Sequence, residues 1–218
     1  MGNMGNMRNI CIAVLVMLAC AVLAHPVSAQ DGFISGMDGG FTFSAKQCGS
    51  AGKSTSFSSC GKTFKVITFY YGNSTVTAIE DGSGRRNILF KDGKPNMPTS
   101  SGISYPRIGF DGDKEIQTTE YNIGPHDFTD DGQSELVIGV RSASGDGMAV
   151  YVFGYISGAW RCMGEMVTSG RGISSCRVFR QTVTLKDSAS GVLYTWTCHG
   201  GHFDFLSSDH VNDPSVLY

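Results

Sequence analysis

The chain has 218 residues, 41% of them hydrophobic and 17% charged, with a formal net charge of −2 at pH 7. That balance leaves no basic excess to draw the protein to nucleic acid or to an anionic membrane surface, both of which need clustered positive charge. The length suits one domain, or one domain with an elaboration.

The first element in chain order is an apolar run, ICIAVLVMLACAVLA, preceded by a short stretch whose one charge is Arg8. The run is shorter than the ~20 residues a membrane span requires. It ends in HPVSAQ, where Val27 and Ala29 have the small-residue spacing read by a signal peptidase. Residues 1–29 are therefore predicted to be a cleaved signal peptide, and residues 30–218 a single secreted or periplasmic β domain without a transmembrane segment. A lipid anchor at Cys20 is disfavoured, because bulky Leu18 stands where a lipobox wants a small residue.

In an oxidising compartment cysteines tend to pair. Cys48, Cys60, Cys162, Cys176 and Cys198 lie beyond the cleavage site. Bridges Cys48–Cys60 and Cys162–Cys176 would close short loops, each worth about 3 kcal/mol in the chain-entropy model. Cys198 is left as the free thiol.

The mature segments alternate or run apolar over short stretches rich in Val, Ile, Thr, Tyr and Phe, separated by Gly, Asp, Asn and Ser, as strands do. Strands are predicted at 64–71, 75–80, 115–123, 135–140, 148–156, 178–186 and 191–198. The Ser- and Gly-rich stretch 40–60 reads as a stapled surface segment. Residues 91–105, with Pro95 and Pro98, read as a loop that could set off a small amino-terminal unit, 30–95. No stretch carries a helical stripe. The expected fold is all-β or nearly so, in antiparallel sheets (a sandwich or a partial propeller-like arrangement), braced by disulfides. Tyr151, Phe153 and Tyr155 share one strand face by period two. They are read as core filling, with a carbohydrate-stacking face as the alternative.

Residues 126–140, HDFTDDGQSELVIGV, concentrate acidic residues ahead of an apolar strand. Calcium takes six to eight oxygens, and a loop that offers them at alternate positions wraps them around one point. Asp127, Thr129 and Asp131 alternate, Gly132 permits a sharp turn, Gln133 can lend its carbonyl and Glu135 can close the shell. These five oxygen-bearing residues are the candidate calcium ligands, against a plain polar turn at Asp130-Asp131-Gly132.

The stretch resembles the short calcium loops of FG-GAP and VCBS-type repeats, in which an Asp-x-Asx-x-Asp-Gly loop runs into an apolar strand. Thr129 departs from the Asp or Asn usual there, and one clear copy is present where the family has arrays. Residues 110–117, with Asp111, Asp113 and Glu115, are at most an echo. The resemblance implies Ca2+ as a fold-bracing cofactor.

A second cluster lies in TCHGGHFDFLSSDH (197–210), where Cys198, His199, His202 and Asp204 are transition-metal ligand types. A secreted metal-dependent hydrolase using the Cys198–His210 segment is the alternative function. No Gly-x-Ser-x-Gly elbow occurs, and Cys198 beside His199 on a strand would face the opposite way. The preferred reading is an exported, non-catalytic binding protein with a protein or carbohydrate partner, including an inhibitor or immunity protein of a periplasmic toxin or hydrolase.

Overall fold

The computed structural model describes residues 32–44, 53–71, 74–91, 94–96, 118–142, 147–167, 173–187 and 189–210. The predicted signal peptide, Cys48 and the 110–117 echo lie outside them. Among these residues every regular element is a strand. In chain order they are β1 (Ile34–Ser35), β2 (Phe41–Ser44), β3 (Lys53–Ser59), β4 (Lys62–Tyr71), β5 (Ser74–Glu80), β6 (Arg86–Lys91) and β7 (Lys94–Pro95). They continue with β8 (Thr118–His126), β9 (Glu135–Ser142), β10 (Met148–Ile156), β11 (Ala159–Val167), β12 (Ile173–Phe179), β13 (Thr182–Asp187), β14 (Val192–His199) and β15 (His202–His210). No helix among the described residues is long and apolar enough to cross a membrane.

The strands form three five-stranded sheets, ordered β3-β4-β5-β6-β7, β11-β10-β9-β8-β2 and β1-β12-β13-β14-β15. Each is built on an antiparallel meander continuous in sequence, and β1 alone joins its sheet in parallel, beside β12. Tight turns make the meanders. Cys60-Gly61, Ser157-Gly158 and Gly200-Gly201 each place two consecutive residues at positive φ, the twist that suits a two-residue hairpin.

The sheet containing β8–β11 lies in the middle, and its strands show why. Along β10, Ala149, Tyr151 and Phe153 enter the core shared with the first sheet, while Met148, Val150 and Val152 enter the core shared with the third. A strand apolar on both faces reads as a continuous hydrophobic run, which is what MAVYVFGYI is. In the third sheet, β13 (TVTLKD) alternates buried and half-buried residues. Tyr151 and Phe153 are therefore core, with Phe90 packed on both rings at 4.9 and 6.5 Å.

Residues 32–44 act as a strap: β1 extends the third sheet and β2 the middle one. Asn122 fixes the crossing, its Oδ1 accepting from Ile34 N at 3.0 Å and its Nδ2 donating to Thr42 Oγ1 at 3.1 Å.

The expected disulfide bracing is absent among the described cysteines. Cys60, Cys162, Cys176 and Cys198 are free thiols. The Cys162–Cys176 pairing fails for a geometric reason: Cys162 enters one core of the middle sheet and Cys176 the other, so the sheet itself separates them. A disulfide needs Cα atoms within about 7 Å and converging Cβ vectors. Cys60 is exposed, and its proposed partner Cys48 is outside the described residues.

Candidate cation loop and carboxy-terminal cluster

The acidic stretch forms the connection between β8 and β9, and the loop is closed by its own carboxylates. Asp127 Oδ1 accepts the backbone N–H groups of Thr129 at 3.2 Å and Asp130 at 2.8 Å, and the Thr129 hydroxyl at 3.4 Å. Its Oδ2 accepts from Gly132 N at 2.8 Å, and Asp131 Oδ1 accepts from Gln133 N at 2.8 Å. Asp130 at φ +57° and Gly132 at φ +78° turn the chain. Asn and Asp tolerate that region because a short side chain can bond the local backbone. Gln133 turns outward, its Oε1 accepting from Gly61 N at 3.3 Å in the β3–β4 turn.

Glu135 opens β9 and points inward, 7% exposed, with Oε2 accepting from Phe128 N at 2.8 Å. Burial pushes its pKa up to about 7, and the charges of Asp127 and Asp131 add to the rise. Those two aspartates thus act on Glu135 through space. Sequence spacing offered Glu135 as a candidate ligand; its burial follows from the register that sets it on the same side of β9 as Val137. Thr129 serves the loop as a donor to Asp127. Among the described residues, no three His, Cys, Asp or Glu groups already stand as a set of metal ligands.

The carboxy-terminal cluster is divided by its hairpin. Cys198 pairs with Phe203 and His199 with His202 across β14 and β15. Successive residues of a strand face opposite ways, so the Cys198 thiol lies in the core while His199 and His202 lie on the outer face. His202 Nε2 stands 3.1 Å from Asp204 Oδ2, and the two imidazole rings are 6.5 Å apart. Burial, then Glu135 and Asp204, push the Cys198 thiol up to about 11, the reverse of an activated nucleophile.

Sequence reading missed His126. Its ring is buried at the end of β8, Nε2 lies 2.9 Å from the Arg180 carbonyl, and Nδ1 has no hydrogen-bond partner. Asp38 Oδ2 stands 4.0 Å from Nδ1. His126 thereby links the strap, the middle sheet and the β12–β13 turn, contacts that no local pattern signals.

No protein-family model matches this chain, and no curated protein matches it.

Proposed function

We propose that the chain is an exported, non-catalytic binding protein, taking a protein or carbohydrate partner, whose β8–β9 loop holds a calcium ion as a structural brace. The observation that carries the calcium reading is the setting of Glu135: burial raises its carboxyl first, and the charges of Asp127 and Asp131 raise it further, so three acids face one spot. A hard cation relieves that repulsion, and oxygen ligands are what calcium takes. Asp127 already serves three backbone amides, yet an ionised carboxylate has about four lone-pair sites and can still meet a cation. The candidate shell is Asp127, Thr129, Asp131, the Gln133 carbonyl and Glu135.

The loop's resemblance to FG-GAP and VCBS-type repeats points the same way, and three stacked meanders support the propeller-like form of the fold. The binding reading draws support from the carboxy-terminal hairpin, which turns the Cys198 thiol and the His199 imidazole to opposite faces. A hydrolase built there would have no converging nucleophile and base.

Thermal unfolding with calcium and then with excess chelator tests the cation. Binding to the native state raises stability by RT ln(1 + [L]/Kd), about 2.7 kcal/mol at a hundredfold excess over Kd. The expected result is a calcium-dependent rise in Tm that Asp131→Ala abolishes. An unchanged Tm at millimolar calcium returns the loop to a polar turn.

A further inference from the structure

At the opposite end of β9 from Glu135, a cleft of about 450 Å³ opens between the strap and the sheets. Its walls carry Phe33 and Ser35 from the strap, Thr42 from β2, Glu120 from β8, Arg141 from β9 and Ser175 from β12. The size is that of a small-ligand site, which typically spans about 300–1,000 Å³ with a few converging polar groups.

Two side chains set the chemistry. Arg141 Nη2 donates to Glu120 Oε2, and the guanidinium lies over the Phe33 ring at 4.9 Å from its centroid. Both partners of the pair are one-third exposed. The remaining guanidinium N–H groups and Glu120 Oε1 have no hydrogen-bond partner among the described residues. Donor and acceptor thus stand side by side, with the guanidinium over the Phe33 ring. Around them, Thr42 Oγ1 accepts from Asn122 and keeps its own proton to donate. The Ser35 hydroxyl, donating to the Cys176 carbonyl at 3.4 Å, keeps its lone pairs.

We propose that this cleft binds a neutral, polyhydroxylated ligand: a sugar residue, free or at the end of a glycan. Adjacent hydroxyls of a sugar ring each donate and accept, so one can donate to Glu120 Oε1 while its neighbour accepts from Arg141. The two protein charges cancel, so an anionic ligand meets Glu120 and a cationic one meets Arg141, each at a cost that like charges impose. A neutral polyol meets neither cost. The hydroxyls of Ser35, Thr42 and Ser175 supply the further partners that a polyol needs to replace its lost hydration. The inference rests on the binding reading above and narrows its partner from protein or carbohydrate to carbohydrate.

Saturation-transfer NMR of the purified protein tests it. The probes are methyl glucoside, methyl galactoside, methyl mannoside and N-acetylglucosamine, with glucuronate as the anionic and glycine as the zwitterionic control. At least one neutral sugar is expected to receive saturation, with neither control doing so. Glu120→Gln is expected to weaken the signal at least tenfold, and Ser175→Trp, which fills the mouth from an exposed position, to abolish it at an unchanged Tm. Silence from all four neutral sugars overturns the proposal and leaves a protein partner for the binding reading. A sugar signal that Ser175→Trp and Glu120→Gln both leave intact also overturns the cleft, while keeping a carbohydrate partner elsewhere. Preferential binding of glucuronate or glycine overturns the neutral-ligand assignment.

Discussion

Glu135 concentrates the physical tension of the loop in one side chain. Its pKa of about 7 in the folded protein, against 4.5 as the reference, means that folding takes up a proton between those values. An acid raised on folding stabilises the fold only while protonated. Stability should therefore fall as pH rises from about 4.5 through about 7, by up to about 3 kcal/mol once the carboxylate is ionised. Glu135→Gln keeps an oxygen to accept from Phe128 N and removes the charge. Urea unfolding should show this variant more stable than the wild type at pH 8 without added metal, and nearly equal to it at pH 4.5. A variant that tracks the wild type across that range would show Glu135 to be an ordinary carboxylate. The sequence offered the residue as a candidate oxygen ligand; its raised pKa was not legible there. That rise depends on which face of β9 it takes and on the third sheet that covers it.

Among the elements, the strap of residues 32–44 pairs with both the third and the middle sheet, and it meets β8 by close backbone approach. A Cβ on Gly124 would stand 2.1 Å from the Gly39 carbonyl oxygen, and one on Gly40 would stand 2.2 Å from that of Ile123 at φ +131°. Neither obstacle is a side chain that can swing away. Gly124→Ala should cost about 1–3 kcal/mol, the range for overpacking a tight contact, whereas Gly82→Ala meets open space and should change stability by less than about 0.5 kcal/mol. Denaturant midpoints of the two variants check this; equal midpoints would show the strap to be loosely seated. Sequence reading recovered the apolar strands β4, β5, β8, β9, β10 and β14, because their periodicity is a local property. It merged parts of β12 and β13 into one strand across Arg180, a non-glycine residue at φ +49°. It also passed over β3, whose Ser54, Ser56 and Ser58 are exposed and whose one large apolar anchor is Phe57.

Over the whole molecule, three stacked sheets take the stabilising role that sequence assigned to disulfides. Compartment and cysteine spacing suggested the bridges, but spacing carries no information about which face of a sheet a thiol takes. Cys162 and Cys176 entered separate cores. Burial pushes the Cys162 thiol up to about 12 and raises Cys176 further still. Reactivity belongs to the exposed thiolate. Of the four described thiols, Cys60 alone should react with a thiol reagent under native conditions, and Cys162, Cys176 and Cys198 only as the protein unfolds. Mass spectrometry after a brief alkylation measures this directly. Early labelling of Cys162 or Cys176 would contradict a fold whose middle sheet is covered on both faces. The all-β class was legible because it follows from composition and period. The layering was not, since it follows from contacts between strands far apart in sequence.

The central claim is that negative charge converges on Glu135 and that calcium relieves it. Its most direct measurement is a carbon-detected NMR titration of the Glu135 carboxyl, first with chelator and then with millimolar calcium. The account requires titration near 7 without the ion and a midpoint pulled well below 4.5 with it, because a bound cation favours the charged form. A midpoint near 4.5 under both conditions, or one near 7 that calcium leaves in place, would contradict it.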